Sequence, residues 1–145
     1  MLMRRLLLLL VMFPGALWAA GLENQYGVWS GTLTEMVVAG RQYRHYEVTL
    51  SLSPKDYEID YPSLGCGGQL HLLKYAGRHW VFRDALDYGL DQCINGGRTE
   101  LRILGPGLCA FQWFDRNGVL RVEGLLKRQR QLMVLRTAPG TKQRG

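Results

Sequence analysis

Residues 61–97 constrain the fold of this chain more than any other stretch. The segment opens with YPSLGCGGQL and closes with CINGG, so Cys66 and Cys93 each lie beside a glycine pair. Glycine favours tight turns, and the residues between the two pairs have the character of strands. We therefore predict a Cys66–Cys93 disulfide that staples two turns together.

Cys109 is the third cysteine of the chain. In an oxidising compartment, three cysteines give one pair and one remaining thiol by default. Cys109 falls inside the apolar run 108–114, which predicts a buried thiol that packs as a small hydrophobic side chain. The Cys66–Cys93 bridge would close a loop of about 28 residues and contribute roughly 3–4 kcal/mol to stability.

The N-terminus has the pattern of a secretory signal peptide. Arg4 and Arg5 precede an uncharged apolar run, residues 6–13, and small residues follow it. The run is shorter than the roughly 20 residues that span a bilayer. We predict cleavage after Ala19 and a periplasmic or secreted protein, with an uncleaved anchor as the alternative. No cysteine follows the run to carry a lipid, so we expect no stable membrane anchor.

The charge balance is mildly basic. Removing residues 1–19 takes away Arg4 and Arg5 and lowers the formal net charge from +6 to +4. Much of the remaining positive charge lies late in the chain, where it is typical of a solvated edge and tail; contact with an anionic envelope polymer is the functional alternative. An exported chain without a recognisable nucleic-acid module is not expected to bind nucleic acid.

Alternation of apolar and polar residues predicts short β-strands along the mature chain. The clearest is 46–52, where Tyr46, Val48, Leu50 and Leu52 share one face. Residues 85–92 lack this pattern and suit one helical turn. The remaining strands are predicted at 28–35, 57–61, 69–75, 79–84, 98–104, 108–114, 119–126 and 131–136.

Eight or nine short strands joined by tight turns predict an all-β fold. We favour a small antiparallel up-and-down barrel of calycin-like type, because closure removes exposed strand edges; a two-sheet β-sandwich is the alternative. The predicted organisation is a signal peptide at 1–19, one β-barrel domain at 20–137 and a disordered polar tail at 138–145.

Side chains suited to catalysis or metal binding do not form a recognisable motif. His45, His71 and His79 are predicted on different strands, at outward positions, and no pair has metal-ligand spacing. We predict no catalytic set, no metal and no cofactor. The carboxylates form two groups that we interpret as solvated: Asp56, Glu58 and Asp60, and then Asp84, Asp87 and Asp91.

Aromatic residues are the remaining functional signal. In a small barrel most of them fill the interior. An aromatic-lined barrel mouth that holds a small ligand is one alternative. An exposed protein-binding rim is another, for which we select residues near turns: Tyr43, His45, Tyr75 and Tyr88.

Residues 61–113 resemble a small domain of bacterial exported proteins and of extracellular regions of signalling proteins. The resemblance rests on YPSLGCGGQL, on Phe82-Arg83-Asp84-Ala85-Leu86 with Gly89, on CINGG and on a following tryptophan. Asp84 stands where the pattern often has Glu. The resemblance implies a β domain with a Cys66–Cys93 bridge and leaves Cys109 outside the pattern. It implies no activity.

These observations favour an exported, non-enzymatic binding module whose partner is an envelope protein or cell-wall component. An inhibitor or immunity factor directed at a cell-wall-active enzyme is a narrower form of this hypothesis. A small-ligand carrier is the alternative, and a hydrolase whose carboxylates or histidines converge only in space is a third. The volume of the barrel interior separates the first two.

Overall fold

Apolar and polar residues alternate along eight antiparallel strands, and each strand is hydrogen-bonded to the next one along the chain. The computed structural model describes residues 22–38 and 40–130. The predicted signal peptide, the predicted strand 131–136 and the predicted tail lie outside these residues.

A short 3-10 helix, Leu22–Gln25, precedes the strands. The strands are β1 Gly27–Val38, β2 Gln42–Leu52, β3 Tyr57–Tyr61, β4 Cys66–Ala76, β5 His79–Tyr88, β6 Arg98–Gly105, β7 Leu108–Phe114 and β8 Leu120–Arg128.

Pairing of β1 with β8 closes the sheet into a barrel. The register runs from Trp29 opposite Arg128 to Glu35 opposite Val122. Every strand therefore has two neighbours, which leaves no open edge for another chain to extend. The predicted up-and-down barrel is confirmed, and the sandwich alternative is excluded.

Large side chains fill the barrel interior. Trp29, Trp80, Phe82 and Phe111 are almost completely buried, and aliphatic residues from every part of the barrel pack around them. The predicted inward set of β2, from Tyr46 to Leu52, is buried in alternation as expected. Burial of such side chains contributes roughly 1.5–3 kcal/mol each, so the interior is the main source of stability.

The prediction of a helical turn at residues 85–92 is wrong for its first half. Strand β5 continues to Tyr88, with Leu86 buried, and a turn follows it. Hydrogen bonds between β5 and β4 hold these residues extended despite their weak alternation. The register shifts once here, because Gly67 lies opposite Tyr88 and Gly68 lies opposite Leu86. Asp87 is therefore an extra residue, a β-bulge that turns the Tyr88 side chain outward.

The first glycine pair lies in a strand and not in a turn. Gly67 and Gly68 belong to β4, and the Tyr88 ring lies directly against Gly67. A Cβ at position 67 would overlap this ring, so glycine is needed here for close approach.

The predicted disulfide is confirmed. Cys66, the first residue of β4, is bonded to Cys93 in the connection between β5 and β6. Cys109 is a buried free thiol, also as predicted, and burial raises its pKa to about 12. A disulfide of this kind is compatible with a periplasmic or extracellular protein.

Removal of the disulfide should lower the free energy of unfolding by about 3–4 kcal/mol, because a bridge between residues 27 apart restricts the unfolded chain. The variant is Cys66→Ala with Cys93→Ala, measured by urea unfolding. Cys109→Ala is the control, since it shortens a buried side chain and keeps the bridge. Mass spectrometry of the non-reduced protein checks the pairing directly, and any peptide that links Cys109 would contradict it.

Candidate functional site

The up-and-down topology places alternate connections at the same end of the barrel. One end carries the connections β1–β2, β3–β4, β5–β6 and β7–β8, and we call it the disulfide end because Cys66 and Cys93 lie there. The opposite end carries the other connections, among them residues 53–56 and 77–78. The residues of the YPSLGCGG and CINGG motifs are therefore gathered at one end.

A cavity of about 100 Å³ opens at the disulfide end. Its walls come from the YPSLGCGG and CINGG motifs, from strands β1, β2, β5, β7 and β8 and from the connection between β5 and β6. Exposed residues such as Ile94 line its outer edge, and buried ones line its floor. The lining residues are Glu35, Arg44, Tyr46, Tyr61, Leu64, Asp84, Leu86, Gln92, Cys93, Ile94, Trp113 and Val122.

Asp84 is the buried carboxylate of this cavity. It shares the inward face of β5 with Trp80, Phe82 and Leu86, and only 3% of its surface is exposed. Its Oδ1 accepts a hydrogen bond of 2.7 Å from Thr99 Oγ1, and its Oδ2 accepts one of 2.7 Å from Trp113 Nε1. Burial raises the pKa of Asp84 to about 6, while these two hydrogen bonds act in the opposite direction.

The prediction that all three carboxylates of the second group are solvated is wrong for Asp84 and correct for Asp87 and Asp91, which are exposed. The physical reason is the continuation of β5, which gives Asp84 the same inward phase as Phe82. That signal was present in the sequence as the series Trp80, Phe82, Asp84 and Leu86 at every second position.

Gly97, the last residue of the CINGG motif, holds Trp113 beside Asp84. The indole packs directly against Gly97, where a Cβ would overlap the ring. The carbonyl of Gly97 also accepts a hydrogen bond of 3.0 Å from the backbone N–H of Asp84. Gly97 thus brings the loop, the indole and the carboxylate into contact.

Two tyrosines form the wall beside Asp84. The rings of Tyr46 and Tyr61 meet edge to face, with centroids 5.9 Å apart. Burial raises the pKa of Tyr61 well above its ordinary value, and the neighbouring Asp84 carboxylate adds to this effect. Burial likewise raises the pKa of Tyr46, with a further contribution from Glu35. Both phenols are therefore neutral hydrogen-bonding groups at physiological pH.

An ion pair lies at the outer edge of the cavity. Glu35 and Arg44 are directly opposite each other on β1 and β2, and Oε2 of Glu35 accepts hydrogen bonds from Nε and Nη2 of Arg44 at 2.9 and 2.5 Å. The guanidinium also lies 5.5 Å from the centroid of the Tyr46 ring, a cation–π distance. Sequence reasoning missed this pair, although both residues have the inward phase of their strands.

The connection between β5 and β6 is fastened over the cavity at several points. The disulfide anchors Cys93, and the Asn95 Oδ1 accepts hydrogen bonds from the backbone N–H groups of Leu86 and Gly96 at 2.9 and 2.8 Å. Arg116 donates to the Asn95 carbonyl at 2.9 Å. The loop therefore has a defined conformation in which it forms the outer wall of the cavity.

The four residues predicted to form a binding rim are all exposed, but they do not lie together. Tyr43 and His45 lie near the start of β2, and Tyr88 ends β5, so these three are toward the disulfide end. Tyr75 lies near the end of β4, toward the opposite end. Tyr88 contacts the outer barrel wall, where its hydroxyl donates a hydrogen bond to Asp60.

The histidines lie outside the cavity. His45 is hydrogen-bonded to Thr34 at 3.1 Å, and His79 lies 2.9 Å from Glu100 on neighbouring strands. Within residues 22–38 and 40–130, no group of three or more His, Cys, Asp or Glu side chains is arranged to hold a metal ion. The same residues contain no helix that is long and apolar enough to cross a membrane.

Comparison with known proteins identifies no relative: no family model matches the chain, and no curated protein or solved structure is significantly similar to it.

Asp84 makes stability depend on pH in a defined window. Between its ordinary pKa of 3.8 and its folded pKa of about 6, the folded state holds a proton that the unfolded state has lost. The Asp84 contribution to stability is therefore greatest below pH 4 and falls as the pH rises to about 6, by about 3 kcal/mol.

Asp84→Asn should remove this fall in stability with rising pH, because the amide does not titrate. The amide oxygen can still accept the hydrogen bond from Trp113. The measurement is the free energy of unfolding from pH 4 to 8, expressed as the difference between variant and wild type. Asp87→Asn, which changes an exposed neighbour, is the control and should retain the fall. A difference between Asp84→Asn and wild type that is constant with pH would contradict the assignment.

Gly97→Ala should destabilise the protein by about 1–3 kcal/mol, because the added methyl group displaces the Trp113 ring. Gly105→Ala is a matched control, since a Cβ at that position meets no atom within 4 Å. Thermal unfolding compares the two variants, and equal midpoints would show that the indole does not depend on Gly97.

Proposed function

We propose that this protein is an exported, non-enzymatic binding module that meets a protein partner of the cell envelope through its disulfide end. The observation that carries the proposal is the distribution of exposed large apolar side chains. Among the described residues there are twelve, and eight lie in or within three residues of connections at the disulfide end. These are Met36, Val37, Tyr43, Tyr88, Leu90, Ile94, Val119 and Leu120.

Exposed apolar residues in one region are typical of protein interaction sites, while scattered ones need no explanation. The most exposed of them, Ile94 at 63%, lies on the loop that the disulfide fastens to the barrel. A loop whose conformation is already defined loses little entropy on binding. The disulfide end therefore combines apolar contact area with a rigid support.

The character of the cavity also favours binding over nucleophilic catalysis. Among the described residues, those that line it include neither a histidine nor a serine nor a free thiol. The barrel closed around Trp29, Trp80 and Phe82 argues against the carrier alternative. The cavity of about 100 Å³ is well below the roughly 300–1,000 Å³ of sites that enclose a small-molecule ligand.

Export and the class of partner belong to the same proposal. The N-terminal signal pattern and the disulfide both fit a protein that works outside the cytoplasm. We put forward an enzyme that acts on the cell wall as the partner, with this chain as its inhibitor or immunity factor. The likeness of residues 61–113 to the small domain of exported bacterial proteins is consistent with this location.

Site-specific photo-crosslinking tests the proposal. A photoreactive amino acid replaces Ile94 in the full chain, which is expressed in the organism of origin and irradiated in intact cells. Leu104 is the matched control position, because it is also an exposed aliphatic residue, at 47%, but lies at the opposite end. We expect one discrete adduct from position 94 and none from position 104. No adduct from position 94, or the same adduct from both, would refute a binding surface at the disulfide end.

A further inference from the structure

The cavity at the disulfide end is sized for the tip of a single side chain. An apolar cavity of about 150 Å³ holds one benzene molecule, and this cavity measures about 100 Å³. Exposed Gln92 and Ile94 stand at its outer edge, so a group that enters it remains attached to something larger outside. Ile94, the most exposed apolar residue of this end, lies at that edge and provides contact area for the larger body.

The charges in the cavity determine which kind of side-chain end group it can hold. Glu35 is paired with Arg44 at 2.5 Å, so these two charges compensate each other. Within the part of the chain that the structure describes, Asp84 has hydrogen-bond donors but no cationic partner. The cavity therefore holds one negative charge in excess, at its floor. A neutral or anionic tip would leave this carboxylate uncompensated.

The walls are suited to the same kind of group. Tyr46, Tyr61 and Trp113 line the cavity, and aromatic rings attract cations electrostatically, most strongly where water is excluded. Arg44 already shows this contact, because its guanidinium lies 5.5 Å from the Tyr46 centroid. Three aromatic side chains and one carboxylate thus line the same cavity.

We infer that this cavity receives the ammonium or guanidinium tip of a basic side chain presented by the protein partner. The tip bonds to the Asp84 carboxylate between the aromatic walls, and the residues around the tip contact the apolar surface of the disulfide end. The inference rests on the proposed function for the identity of the body that carries the tip. The cation preference itself follows from the cavity.

Nuclear magnetic resonance measures the preference without the partner. The probes are the N-acetyl methylamides of lysine and arginine, and the neutral control is that of norleucine. The reporter is the indole N–H signal of Trp113, because this group donates to Asp84. We expect a saturable shift of this signal with the lysine or the arginine probe and none with norleucine. The dissociation constant should be on the order of 1–10 mM, because so small a ligand buries few atoms.

Two variants separate charge from packing. Asp84→Asn removes the charge and should weaken binding of the cationic probes about tenfold or more. Thr99→Ser removes a buried methyl group but keeps the hydroxyl that donates to Asp84, and with it the charge of the carboxylate, so it should retain binding. The inference is refuted if neither cationic probe binds, if norleucine binds equally well, or if both variants weaken binding to the same extent.

Failure of this inference and failure of the proposed function are distinguishable. An adduct from position 94 that forms equally in wild type and in Asp84→Asn, with no shift from either cationic probe, refutes the cation site and leaves the binding surface. Saturable binding of a cationic probe without any adduct from position 94 refutes the protein partner and leaves the cation site.

Discussion

The carboxylate of Asp84 is the group on which the disulfide end of the barrel depends. A carboxylate removed from water is costly unless polar groups surround it, and Thr99 and Trp113 supply the two hydrogen bonds. Trp113 can reach it only because Gly97 has no side chain, and the disulfide fastens the loop that brings Gly97 there. Carboxylate, indole, glycine and disulfide therefore form one interdependent unit.

Such a unit lowers the stability of a small barrel. The folded protein must keep a negative charge, or a proton that neutralises it, in a place where Leu or Val would pack at no such cost. A disulfide that restricts the unfolded chain offsets a loss of this size. Departures from simple packing rules are expected at functional sites, where a chain retains a costly group because the group is used. The buried acid, rather than the apolar interior, thus supports our proposal that the disulfide end is the end that binds.

Much of the barrel could be predicted from the sequence, because alternation reports directly which side chains face inward. It did so for Tyr46 to Leu52, and the need to remove exposed strand edges then favoured closure into a barrel. The cavity could not be predicted in the same way. Glu35 and Arg44 have inward phase, but their contact depends on strand register, and the bulge at Asp87 reverses the direction of Tyr88 without any mark in the alternation. The glycine pairs were ambiguous for a related reason, since glycine permits both a turn and close approach of a ring.

The topology itself limits which exposed residues can act together. In an up-and-down barrel, successive connections fall at opposite ends, so residues near adjacent turns are separated by the length of a strand. Tyr75, near the connection between β4 and β5, cannot share a compact surface with Tyr43, near the connection between β1 and β2. The same rule explains why residues far apart in sequence line one cavity. Tyr61 and Leu64 lie at or beside one connection, Cys93 and Ile94 lie in another, and both connections are at the same end. The partner that we propose would contact residues of both the YPSLGCGG and the CINGG motifs, and the opposite end of the barrel would remain outside the contact.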